Sequence, residues 1–150
     1  LLERFDYAFV QPKGSMYPPI LDMNTIDGDV TVTGAGGDIT FTPFSVNHGA
    51  IDALGFRIAD VAYLPDVASI PDASWEHLRD LDCWIVDALR RDPHPTHSHL
   101  AQTLEWIDQM QPKQAVLTNM HIDLDYQTLT DETPDHIQPA FDGLSLTFPD

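Results

Sequence analysis

The chain has 150 residues, with 24 acidic against 7 basic side chains and a formal charge of −17 at pH 7. Such an excess repels polyanions at long range, which argues against an extended nucleic-acid partner and requires any bound phosphate to find its cations locally. A hydrophobic content of 43% suffices for the core of one domain, and no apolar run approaches the roughly 18 residues that cross a bilayer, so no membrane partner is expected.

The chain opens in mid-pattern, with no initiator Met. Leu1, Leu2, Phe5 and Phe9 fall on one face of a helix, which reads as the end of a helix begun upstream and leads us to expect a fragment. The connector "QPKGSMYPP" is rich in breakers. "ILDMNTI" reads as a strand. "DVTVTG" and "DITFTPFSVNH" read as a hairpin-like pair across "AGG". "ALGFRIAD" and "VAYLPD" are two more strands, joined by a tight turn at Asp60. "IPDASWEHLRDL" begins with Pro71 and Asp72, as a helix N-terminus does.

"CWIVDAL" is a continuous apolar strand. Its Cys83 is the one cysteine, which rules out a disulfide within the chain and fits a reducing, cytoplasmic setting. We read Cys83 as a small buried hydrophobe. "THSHLAQTLEWIDQMQP" is an amphipathic helix with Leu100, Leu104, Ile107 and Met110 on one stripe, ended by Pro112. With Thr96 as its N-cap, His97 lies in the first turn, where free N–H groups favour an anion. "QAVLTNM" is a second buried strand, "DYQTLTDET" a short helix, and "IQPAFDGLSLTF" supplies edge strands around Gly143. The antiparallel first half and the alternating second half predict a layered α/β sandwich.

Four β-runs end in a residue able to bind metal or move a proton: His48, Asp66, Asp87 and His121. Strand ends at one sheet edge converge, and the loops there commonly carry function. Taken singly, an Asp in such a place is usually a turn or cap residue and a His usually structural or solvated. Imidazole and carboxylate together suit Zn or Mn. The cluster "HPTHSHL", with His94, His97 and His99, admits either a functional histidine or three solvated ones.

"VNHGAIDALGFRIADVAYLPDV", "DALRRDPHPTHSHLAQTLEWI" and "LTNMHIDLDY", in this order, resemble the second half of a metallo-β-lactamase-fold hydrolase. The nearest branch is that of phosphoribosyl cyclic phosphodiesterases and relatives of tRNase Z, and the resemblance runs from about Tyr7 to Phe148. It implies a four-layer αββα sandwich, of which this chain is the C-terminal half, with a dinuclear Zn or Mn site at one edge. It implies that His48 and His121 are metal ligands, Asp66 a bridging carboxylate, and His97 a catalytic residue that contacts phosphate or donates a proton. Asp87 falls where a carboxylate could orient an imidazole, while Asp123 and Asp125 fix the loop. In some relatives the ligand histidine falls at Asn119; His121 is preferred because Asn is a poor Zn ligand.

The family's His-x-His-x-Asp-His run, which supplies most ligands, is absent from this sequence. The metal site is therefore expected to be incomplete and the chain alone inactive. Apolar surface should be exposed unless a first half, or a partner such as a second copy in a homodimer, covers it. The implied activity is hydrolysis of a small cyclic or ribosyl phosphodiester. The rival readings are a thioester or lactam hydrolase of the same fold, and a binding module without catalysis.

Overall fold

The computed structural model describes residues 2–148. Helix α1 (Leu2–Phe9) is followed by β1 (Val30–Gly34), β2 (Gly37–His48), β3 (Ile51–Ile58) and β4 (Val61–Leu64). A 3-10 helix (Asp72–Leu78) leads to β5 (Cys83–Asp87), α2 (Leu100–Met110), β6 (Gln114–Thr118), α3 (Tyr126–Glu132) and β7 (Ile137–Pro139). The strands form one seven-stranded sheet in sequence order. Pairs from β1 to β4 are antiparallel and pairs from β4 to β7 parallel, so the change of character along the sequence is a change of strand direction in one mixed sheet.

Local chemistry explains the register. Gly34 faces Gly37 across the β1–β2 turn, and Gly37 has φ 111°, a conformation open mainly to glycine. β5 and β6, flanked by parallel neighbours, read as apolar runs because parallel strands are covered on both faces. Cys83, Trp84, Val86, Ala115, Val116 and Leu117 are all buried. Leu100 and Ile107 of α2 join this core, with Leu104 and Met110 packed at its margin. Each fully buried large side chain contributes roughly 1.5–3 kcal/mol of transfer free energy. Gly55 of β3 marks a close approach: a Cβ there would lie 2.5 Å from the Phe44 ring and 2.9 Å from Leu64.

The structure departs from the sequence reading in several places. The stretch "ILDMNTI" is not a strand; the N–H groups of Ile20 and Leu21 both donate to Ala8 O instead, at 3.0 Å. α1 buries only Ala8, with Leu2 and Phe5 exposed, and the expected contribution of Leu1 lies outside the described residues. After β7 no further strand forms among the described residues. Met16, Tyr17 and Ile20 of the connector after α1, and Val32 and Ile39 of the β1–β2 hairpin, are exposed. Among the described residues, no helix is long and apolar enough to cross a membrane.

Candidate metal centre

β2 delivers His48 as its last residue, opposite Ile51. Its neighbour Asn47 ties the following loop to β2: Asn47 N donates to Ser69 O at 3.0 Å, and Asn47 O accepts from Ala68 N at 2.7 Å. That loop carries Asp66, immediately after β4 and Pro65. The next residue along from His48 is Gly49, at φ +73°, where a Cβ would stand 2.5 Å from Thr96 Cγ2 and 3.3 Å from Pro95 O. The β2–β3 turn thus rests directly on the loop that holds His97.

β5 ends in Asp87, which is fully buried. Its Oδ2 accepts from Val67 N at 3.3 Å and lies 2.7 Å from His97 Nδ1. Its carbonyl oxygen accepts from Ser98 Oγ at 2.8 Å and Thr103 Oγ1 at 2.6 Å. Burial raises the Asp87 carboxyl to a pKa of about 6, against the opposing pull of the His97 hydrogen bond and charge. The rings of His48 and His97 meet edge to face, with centroids 4.7 Å apart.

These contacts gather three donors. One ligating atom each of His48, Asp66 and His97 falls within 4.8 Å of the others. His48 Nδ1 is buried without a hydrogen-bond partner, and an orphaned buried nitrogen is a group that an ion or ligand satisfies. The imidazole of His48 and the carboxylate of Asp66 are donors suited to a divalent transition ion, and His97, braced by the second carboxylate of Asp87, stands beside them. The residues present therefore fit part of a metal shell.

The β-lactamase superfamily domain, as a family, matches residues 1–122. The chain belongs to the β-lactamase superfamily. Its mixed sheet with helices is consistent with the metallo-β-lactamase fold that the sequence resembles. A diphosphatase of the PhnP family is similar in structure, with 34% identity and a TM-score of 0.84 over 99% of this chain and 54% of its own. The short form of human tRNase Z shares the fold, at 18% identity and a TM-score of 0.59 over 75% of this chain and 44% of its own. An octanoyltransferase of Porphyromonas gingivalis is 29% identical over 147 residues, which is 95% of this chain and 29% of that protein. The chain thus spans about half the length of that diphosphatase and under a third of the octanoyltransferase.

Within this superfamily member, the structure brings His48, Asp66 and His97 together and leaves His121 outside the group. Asn119 adopts φ 63° and turns the chain at the end of β6. Its Nδ2 donates to Pro65 O at 3.1 Å and lies 3.4 Å from His97 Nδ1. Position 119, and not 121, therefore faces the group. His121 is tied by its N–H to Leu89 O at 2.7 Å, and its exposed ring lies 3.3 Å from Asp123 Oδ1.

His97 also differs from the helix-cap expectation. α2 begins at Leu100 with His99 as N-cap, so His97 precedes the helix. The bonds from Ser98 and Thr103 to Asp87 O, together with the Arg90–His99 bridge, hold the segment extended beside β5. The readings of Asp123 and Asp125 as loop-fixing residues match the structure. Asp123 Oδ2 accepts from Arg91 N at 3.3 Å, and Asp125 Oδ1 accepts from Thr128 N at 2.9 Å as the cap of α3. Two features carried no signal in the sequence, the contact of Gly49 with Thr96 and the turn at Asn119, because both depend on segments distant in the chain.

Proposed function

We propose that this chain is part of a metal-dependent phosphodiesterase that hydrolyses a small cyclic or ribosyl phosphodiester at a dinuclear site. The observation that carries the reading is the His48–Asp66–His97 group with His97 braced by a buried carboxylate. His48 and Asp66 would hold one divalent ion, Zn or Mn. His121 stands at the same sheet edge, tethered to Leu89 two residues beyond Asp87, and would bind the second ion once its ring leaves Asp123. Such ions supply Lewis-acid stabilisation of charge on the phosphoryl oxygens.

This chain's own residues account for the rest. In this reading Asp87 accepts a hydrogen bond from His97 Nδ1, which orients the ring and leaves Nε2 to face the substrate. Carrying a second proton on Nε2, His97 would hold a phosphate oxygen, or hand that proton to the departing alkoxide. Burial of Asp87 keeps water from that hydrogen bond. The ligands that His48, Asp66 and His121 do not provide belong, in this reading, to the part of the domain carrying the His-x-His-x-Asp-His run, so the chain alone turns over no phosphodiester. The partner is a small soluble substrate, in a cytoplasmic enzyme.

Acyl chemistry is the second reading, favoured by the octanoyltransferase likeness, which takes in only 29% of that protein. The phosphoryl reading is preferred because a braced histidine serves a phosphate and its leaving group, and because a diphosphatase is similar over 99% of this chain. The test is hydrolysis by the whole protein loaded with Zn or Mn. We expect chelator-sensitive turnover of bis(p-nitrophenyl) phosphate and none of an acyl thioester; the reverse pattern would establish the acyl reading.

A further inference from the structure

Asp66 lies on a loop just past β4, and its side chain is half exposed. Its aim therefore depends on how the backbone on either side of it is held. After it, Val67 N donates to Asp87 Oδ2 at 3.3 Å and Ala68 N donates to Asn47 O at 2.7 Å. Before it stands Pro65, which has no N–H, so its carbonyl is the one backbone group through which hydrogen bonding can fix it. That carbonyl accepts from Asn119 Nδ2 at 3.1 Å.

The chain reverses at Asn119 in a way that permits this bond. β5 lies between β4 and β6, so an amide at the end of β6 must cross the end of β5 to reach Pro65. It does so from φ 63°, a left-handed conformation that asparagine tolerates better than most non-glycine residues. The orientation of the amide follows from its partner. Turned over, its oxygen would face the Pro65 oxygen, and two acceptors would meet. With Nδ2 on Pro65 O, the same nitrogen lies 3.4 Å from His97 Nδ1. Nδ1 gives its hydrogen to Asp87 in the reading above, so two donors touch, and the amide serves there as a spacer. His97 Nδ1 is 2.7 Å from Asp87 Oδ2 and 3.9 Å from Asp66 Oδ1. The spacer keeps the imidazole on Asp87 and leaves the Asp66 carboxylate for an ion.

We propose that Asn119 is a positioning residue: it anchors Pro65, and so holds Asp66 toward the ion and apart from His97, without itself binding metal. The proposal rests on the metal-dependent reading and adds to it a residue outside the donor group.

Metal binding tests this directly. Cobalt(II) is titrated into the whole protein and into its Asn119→Gly and Asn119→Ala variants, and the stability of each is followed by urea unfolding. Both variants lose the amide. Glycine suits φ 63°, whereas alanine adds left-handed strain, so Asn119→Ala should be the less stable of the two. Cobalt affinity should fall about tenfold in both, as for groups that orient a metal ligand. The visible band of the bound ion should shift, and the stoichiometry should stay that of the parent. Full affinity with an unshifted band in Asn119→Gly overturns the proposal. So does an affinity loss confined to Asn119→Ala, which would make residue 119 a backbone turn only. A lower stoichiometry in both variants would make it a ligand and overturns the proposal as well. Hydrolysis of bis(p-nitrophenyl) phosphate is followed in parallel. The expected cobalt pattern without turnover keeps the anchor and removes the phosphodiesterase reading, whereas turnover with unaltered cobalt binding in Asn119→Gly removes the anchor alone.

Discussion

Replacing Gly49 by Ala should loosen the candidate metal centre without touching a ligand. Two effects are separable in the structure. The residue sits at φ +73°, and left-handed backbone costs a non-glycine residue roughly 1–2 kcal/mol. In addition, the new Cβ would stand 2.5 Å from Thr96 Cγ2. Since carbon atoms pack at about 3.5–4.0 Å, the Thr96 loop must retreat by about 1 Å, and His97 is the next residue. A displacement of that size at a catalytic group lowers rates by about 10²-fold.

A double-mutant cycle with Thr96→Ala apportions the two effects. Thr96→Ala removes Cγ2 and so should relieve the clash in the double variant, leaving the backbone strain. Urea unfolding of the chain should show Gly49→Ala destabilised by about 2–3 kcal/mol, of which about 1 kcal/mol or more returns in the double variant. Two results would refute the reasoning: a Gly49→Ala chain as stable as the parent, or the same loss with and without Thr96→Ala. Either would mean that the turn does not bear on the His97 loop.

Three further outcomes are expected. Asp87→Asn should keep metal content and lower kcat of the whole protein by about 10–150-fold, the equivalent of one hydrogen bond to a charged group of about 1.5–3 kcal/mol; a fall in metal content without a change in kcat would assign Asp87 another role. His97→Ala should lower kcat by roughly 10²–10⁴ and leave bound metal unchanged by elemental analysis, and a metal loss equal to that of His48→Ala would make His97 a ligand. Cys83 is fully buried, and burial pushes its thiol up to about 11, so a disulfide reagent at pH 8 should label it only after unfolding; rapid labelling of the native chain would contradict its place in the core.

The parts legible in the sequence were those governed by local pattern. Apolar runs marked β5 and β6 because parallel strands are covered on both faces, and the spacing of Leu100, Leu104, Ile107 and Met110 marked α2 because its stripe is local. "ILDMNTI" has the composition of a strand, yet a strand requires a partner, and its backbone bonds to Ala8 instead. The start of α2 was misplaced because the hydroxyls of Ser98 and Thr103 bond to Asp87 O, a tertiary competition that capping rules do not include. The candidate centre was visible as polar residues closing β-runs. Which of them meet was decided by turns: Asn119 at φ 63° presents its own amide to His97, and His121 is directed to Asp123.

The account rests on His48 and Asp66 holding a divalent ion. Cobalt(II) titration of the whole protein, read by visible absorption and elemental analysis, tests it most directly. We predict saturable cobalt binding that is abolished by His48→Ala, strongly weakened by Asp66→Ala and retained in His97→Ala. A whole protein that binds no cobalt, or that binds it equally well after His48→Ala and Asp66→Ala, would contradict the assignment of this group as a metal centre.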